Sequence, residues 1–376
     1  MIYLDAAAST KPSEEVLALF QELCLKEYAN PTSAHGFGRE AGKMLEEYRK
    51  RLLRLFRVEK THQALFVSGA TEGNNLAIKG IAFSYQNRGK KILVSAVEHP
   101  SVLAPAEHLA NDFGFELVRL PVDEYGRVLP SVLEGAMDKD VILVSIMGVN
   151  NETGAVNDLA ELAKVVHRFP KAYFHSDLTQ AIGKMDVPFE ALDLFTFSGH
   201  KIHGLKGSGA LVYRSSIRFS PLLDGGGQEF GFRSSTPALP LNATLVLAAE
   251  RSLSQQKASL EHASRLRKEL LERLPMDEVS LNSPSNGSPF VVNFSLKRHK
   301  ASVIVEGLSR EGIYVSSASA CSSRTDHPSD VLLAIGKSKE DASNAIRVSF
   351  EESTSLEDVV RFADTLSTLL KEVHPR

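Results

Sequence analysis

Thr196-Phe197-Ser198-Gly199-His200-Lys201 is the stretch on which the fold turns. An apolar run over 194–197 stops at small and polar residues and then a lysine. A second segment is built the same way: Phe174-His175-Ser176-Asp177-Leu178-Thr179-Gln180. Short apolar, β-branched runs closed by turn residues read as strands. The same signature predicts strands over 64–67, 91–95, 141–147, 172–175, 194–197 and 209–213. Helical patterns over 72–82, 102–112 and 159–169 fall between them. This alternation predicts an α/β fold, a mostly parallel sheet flanked by helices. Ligands of such sheets bind beyond the carboxyl ends of the strands, which puts Asp177 and Lys201 at one edge.

The pattern changes after Pro240. A helical region over 241–274 runs into Ser283-Pro284-Ser285-Asn286-Gly287-Ser288-Pro289, a turn-rich break. Beyond it the pattern predicts strand 290–295, helix 302–311, strand 313–316, a helix near 329–335, strand 345–350 and helix 356–373. That order predicts a smaller α+β domain. We expect a large domain over 12–250 and a small one over 251–376 joined by 1–11. There is no internal repeat.

The 376 residues allow more than one core, and 43% hydrophobic with 24% charged residues is ordinary globular composition. A formal net charge of −3 gives no positive field for nucleic acid or an anionic membrane. No apolar run approaches the roughly 18 residues of a membrane span, and the first residues lack a secretory pattern. The expected location is cytoplasmic. The basic stretch around Arg49, Lys50, Arg51, Arg54 and Arg57 carries Tyr48, Leu52, Leu55 and Phe56 at helical spacing. Its charges are therefore expected on a solvated face.

Two cysteines are too few for a disulfide framework or an all-protein zinc site, and no metal is expected. Cys24, with Leu17, Phe20 and Leu23, reads as a small buried hydrophobe. Cys321 sits in Ser316-Ser317-Ala318-Ser319-Ala320-Cys321-Ser322-Ser323, which suits an accessible loop with a reactive thiol; a plain flexible linker has the same composition.

Four motifs carry chemistry. Val67-Ser68-Gly69-Ala70-Thr71-Glu72-Gly73-Asn74-Asn75 reads as strand, small-residue turn and helix start, where free amides and the Thr71 hydroxyl suit an anion. It lacks the Gly-Lys-Ser/Thr ending of a Walker loop. His99, in Val97-Glu98-His99-Pro100-Ser101, could stack on a ring or move protons; a structural turn histidine fits equally. Asn150-Asn151-Glu152-Thr153-Gly154 is a turn for conformational reasons, or a set of ligand donors. Asp177 can pair with a protonated pyridine nitrogen, and Lys201 can form a covalent bond to a carbonyl. A structural salt bridge is the plain alternative.

In order and spacing these motifs resemble the cysteine desulfurases, within the class V branch of fold-type-I pyridoxal-phosphate enzymes. The resemblance adds Tyr3-Leu4-Asp5, Asn30-Pro31-Thr32-Ser33-Ala34-His35, Gly225-Gly226-Gly227-Gln228-Glu229, Arg233-Ser234-Ser235-Thr236, Ser319-Ala320-Cys321 and Arg347. It implies that Lys201 holds pyridoxal 5'-phosphate and moves the substrate Cα proton. Asp177 would keep the pyridine nitrogen protonated, and His99 would lie on the ring as an acid–base group. Gln180 and Asn151 would contact the phenolic oxygen or the substrate. Ala70, Thr71, Ser198 and His200 would hold the phosphate, with Thr236 reaching in from the other subunit of a homodimer. Arg347 would clamp the carboxylate of L-cysteine. Cys321 would attack the substrate sulfur, becoming a persulfide as alanine leaves. Its sulfur would go to an acceptor protein of iron–sulfur cluster assembly or thiolation.

The chain departs from the family pattern at Leu178, Ser235 and Ala318, none of which removes a reacting group. Other class V activities, aminotransferase or selenocysteine lyase, need no cysteine in this loop. A non-catalytic sulfur-assembly scaffold would have no use for Lys201, Asp177, His99, Cys321 and Arg347 together.

Overall fold

The computed structural model describes residues 1–317 and 328–374. Strand β1 (Ile2–Tyr3) lies outside the central sheet. The central sheet contains β2 (His62–Val67), β3 (Lys91–Ser95), β4 (Glu116–Leu120), β5 (Val141–Ser145), β6 (Tyr173–Asp177), β7 (Leu194–Ser198) and β8 (Gly209–Arg214). Their order is β2-β8-β7-β6-β5-β3-β4. β8 pairs antiparallel with both neighbours, and the other pairings are parallel. The expected α/β architecture is therefore observed. The strand that its sequence conceals is β4, an edge strand whose residues stay largely outside the core, so it carries no apolar run.

Helices α1 (Glu14–Lys26), α2 (Gly36–Leu55), α3 (Ala70–Tyr85), α4 (Pro100–Phe113), α5 (Pro130–Ala136), α6 (Leu159–Val166) and α7 (Leu239–Ser254) accompany this sheet. Side chains alternate across a strand, so each strand feeds two cores. Phe174, Phe195 and Phe197 enter one, with Phe56 and Leu52 of the α2 region. Leu194 enters the other, with Leu76 and Ile78 of α3 and Val102 of α4. The same alternation sends His175, Asp177 and Thr196 to the α3 side. Gly73 permits close packing there, since a Cβ on it would meet Thr196 Cγ2 at 2.9 Å.

The remaining helices are α8 (Gln256–Arg273), α9 (Ala301–Arg310), α10 (Asp330–Ala334), α11 (Lys339–Ser343) and α12 (Leu356–Glu372). Strands β9 (Val279–Leu281), β10 (Val291–Leu296), β12 (Ser316–Ser317) and β13 (Ala345–Ser349) make an antiparallel sheet ordered β12-β13-β10-β9. It packs with α8, α9 and α12 around Phe294, Ile346 and Phe362. The expected long helix over 241–274 is two helices meeting at Gln255. The expected strand 313–316 is likewise two: β11 (Ile313–Tyr314) pairs parallel with β1, whereas β12 pairs with β13. Among the described residues, no helix is long and apolar enough to cross a membrane.

Two expectations fail. Cys24 is exposed, because α1 turns Val16 and Leu23 inward and the next residue lies outside. Arg49 is not on a solvated face: it is 3% exposed and donates to Glu229 at 2.7 and 2.9 Å. Helical spacing shows which residues share a face, but not where a buried acceptor lies.

Candidate active site

A cavity of about 290 Å³ opens at the carboxyl ends of the parallel strands. Its walls include ten of the expected site residues: Ala70, Thr71, His99, Asn151, Asp177, Gln180, Ser198, His200, Lys201 and Arg347. Thr236 is exposed and does not line the cavity of its own chain. Cys321 lies outside the described residues.

Lys201 follows β7 in a single helical turn, and its Nζ donates to the carbonyls of Ala7 and Ala8 at 2.6 Å each. Gln180 Nε2 also donates to Ala7 O, at 2.9 Å. The segment before α1 therefore forms part of the wall through its backbone, which no side-chain motif could reveal. Asp177 ends β6; its Oδ1 accepts from Thr179 N at 2.9 Å and its Oδ2 from Asn74 Nδ2 at 2.8 Å.

One end of the cavity suits an anion. Helix α3 starts there without a side-chain cap, and Ala70 N donates to Ser198 Oγ at 2.7 Å. Burial, then the charges of Lys201, Lys206 and Lys184, lower the His200 pKa to about 4, leaving a neutral imidazole. His99 caps α4, and its Nδ1 accepts from Ser101 N at 3.1 Å. Burial lowers its pKa too, with Lys201 acting in the same direction and Asp177 opposing.

At the far wall Arg347, from β13, is 3% exposed. Its Nη2 donates to Asp5 at 2.8 Å and its Nη1 to Asn151 O at 3.1 Å. Arg347 Nε and Thr179 Oγ1 are buried and have no hydrogen-bond partner among the described residues. Orphaned buried polar atoms beside a cavity point to a ligand that supplies the missing partners. A lysine, a held carboxylate and an anion cradle around one space fit a phosphorylated pyridine aldehyde.

Sequence reasoning missed Asn74, Ser101 and Asp5 as contributors, although all three stand in the motifs quoted above. Asn74 and Asp5 find partners on strands distant in sequence, and Ser101 is joined to Asn74 of α3, so no local signal gave them these roles.

The chain matches the aminotransferase class-V family over residues 2–362. It is 37% identical to a NifS/IcsS protein homolog of Lactobacillus delbrueckii subsp. bulgaricus, over 96% of this chain and 95% of that one. It is also 37% identical to the cysteine desulfurase IscS of Dictyoglomus turgidum, over 99% and 95% respectively. A solved NifS-like protein superposes with a TM-score of 0.92 at 31% identity, covering 99% of this chain and 100% of that one. With its site at the expected strand ends and these likenesses running end to end, the chain belongs to the aminotransferase class-V family, in its cysteine desulfurase branch.

Proposed function

We infer that this protein is a pyridoxal-phosphate-dependent cysteine desulfurase, taking sulfur from L-cysteine and releasing L-alanine. The observation that carries the reading is the meeting of Lys201, Asp177, His99 and Arg347 around one cavity. When bound, the cofactor supplies a carbonyl for an amine and an electron sink for negative charge at the substrate Cα.

The chain's own residues do the rest. Lys201 binds the cofactor through Nζ and afterwards moves the Cα proton at that nitrogen. Asp177 Oδ holds the proton of the pyridine nitrogen. His99 covers the ring and exchanges protons at its imidazole. Gln180 and Asn151 orient the phenolic oxygen or the substrate. Ala70, Thr71, Ser198 and His200 bind the phosphate, and Thr236 of a second copy completes that cradle in a homodimer. Arg347 binds the substrate carboxylate through donors that its partners leave unused.

Cys321 as thiolate then attacks the substrate sulfur. The carbon–sulfur bond breaks as the sulfur–sulfur bond forms, and the electron pair left on carbon takes a proton to give alanine. The persulfide sulfur passes to an acceptor protein of cluster assembly or thiolation.

Incubation with L-cysteine tests the reading. Alanine and sulfur are expected in equal amounts without any keto acid, and alanine formation that requires a keto acid would make the protein a transaminase. The Lys201→Ala variant is expected to lack the visible band of lysine-bound cofactor. Cys321→Ala is expected to keep that band yet carry no persulfide by mass spectrometry. A wild-type band in the first, or a persulfide in the second, removes the corresponding role.

A further inference from the structure

Beneath the cavity floor, a buried amide joins two groups that the functional reading treats separately. Asn74 lies on α3 and is fully buried, opposite β6 and β7. Its Oδ1 accepts from the hydroxyl of Thr196. Its Nδ2 donates to Asp177 Oδ2 at 2.8 Å and to Ser101 Oγ at 2.9 Å. Ser101 Oγ is in turn 2.8 Å from His99 Nδ1.

The directions of these bonds follow from one fixed donor. The backbone N–H of Ser101 points at His99 Nδ1, and a backbone amide cannot act as acceptor. Nδ1 therefore carries no proton, and the proton of the neutral ring lies on Nε2. The Ser101 hydroxyl must then donate to Nδ1, which leaves its oxygen free to accept. Asn74 supplies that hydrogen from its amide nitrogen, and the carboxylate oxygen of Asp177, an acceptor, fixes which end of the amide is which. Flipping the amide would set its oxygen against the Asp177 carboxylate, acceptor facing acceptor.

We propose that Asn74 is a positioning residue that sets both cofactor-contacting groups at once. Through one amide hydrogen it holds the Asp177 carboxylate. Through the other it directs the Ser101 hydroxyl onto His99, so that the imidazole presents Nε2–H to the cavity as a donor. This rests on the reading of His99 and Asp177 as cofactor contacts. The charged groups acting on His99 from neighbouring elements are Asp177, at the end of β6, and Lys201, after β7.

The test uses the full-length chain labelled with ¹⁵N-histidine, both cofactor-free and loaded with pyridoxal phosphate. Long-range ¹H–¹⁵N correlation, with His99 assigned by difference from His99→Gln, is expected to show a bare Nδ1 and a protonated Nε2. Asn74→Asp keeps the acceptor for Thr196 but removes both N–H donors and adds a negative charge. It is expected to perturb the His99 pattern and to raise the pH midpoint of the visible lysine–cofactor band by about one unit. Ser101→Ala removes the hydroxyl that joins Asn74 to His99 and leaves the Asn74–Asp177 bond in place, so the His99 Nδ1 signal should move while the band midpoint stays.

An Nδ1–H ring in the wild type overturns the proposal. So does a folded Asn74→Asp with both readouts unchanged. If Asn74→Asp does not fold, an unmoved Nδ1 signal in Ser101→Ala overturns it instead. A wild-type chain that forms no Lys201-dependent band would remove the functional reading, and the ring measurement on the cofactor-free chain would still stand.

Discussion

Glu98 is a carboxyl group that folding sets against its own charge. Its Oε1 accepts from Ser95 Oγ at 2.6 Å and from Met147 N at 2.7 Å, tying the ends of β3 and β5 together beneath His99. Its Oε2 is buried and has no partner among the described residues. Burial above all, with Asp177 adding repulsion, raises its pKa from 4.5 to about 8. The folded chain therefore holds this proton across a range in which the unfolded chain has released it. Stability must fall as pH rises through that window, from about 4.5 to about 8. Glu98→Gln reproduces the protonated shape without the proton. Urea denaturation at several pH values is expected to give the variant a shallower decline, by up to ~1.4 kcal/mol per pH unit within the window. An unchanged slope would mean that Glu98 is ionised in the native state. At this scale the sequence disclosed residues that gather at the cavity, because strand-end residues such as Asp177 and Lys201 stand where an apolar run stops. It did not disclose Glu98, Asn74 or Ser101 as a supporting layer, since their roles exist only once separate strands are side by side.

Between elements, the Arg49–Glu229 pair is the clearest device. Glu229 accepts two of the guanidinium's hydrogen bonds, the others going to Glu46 and the Ala64 carbonyl, and its Oε2 also accepts from Phe66 N at 2.9 Å. The Arg49 guanidinium lies between the rings of Phe66 and Phe230, at 4.9 and 5.0 Å. Helix α2, strand β2 and the glycine-rich turn are thereby fixed to one another. Glu229 and Phe230 adopt φ of 48° and 59°, a conformation that needs such support. Arg49→Met would leave the carboxylate buried without its countercharge, a loss of about 3–5 kcal/mol in chemical denaturation. Adding Glu229→Leu should restore a large part of it; a double variant as unstable as the sum of the singles would argue against coupling. The elements themselves were largely legible, because apolar periodicity reports burial on one face. Edge strand β4 escaped because it is hardly buried, and the split at Gln255 escaped because both halves keep helical spacing.

For the whole molecule, Thr236 is the residue through which the proposed homodimer can be tested. It is exposed in its own subunit, while Arg233, three residues earlier, is anchored to Glu72 at 2.7 Å beside the start of α3. In the proposed homodimer, Thr236→Ala should weaken cofactor binding about tenfold, the worth of one hydrogen bond to a charged group. Fluorescence titration measures this, and sedimentation should find the variant still dimeric. Unchanged affinity would take Thr236 out of the phosphate cradle. The segment running through Ala7 and Ala8 has another consequence, one of timing. Strand β1 pairs with β11, and Leu4 accepts from Ser349 N at 2.8 Å. On the ribosome this segment is made long before β11 and β13, the strands that seat it. The carbonyls that accept from Lys201 can take their places only once β11 and β13 have been made, so the cavity wall is incomplete while the strands of the central sheet are being synthesised.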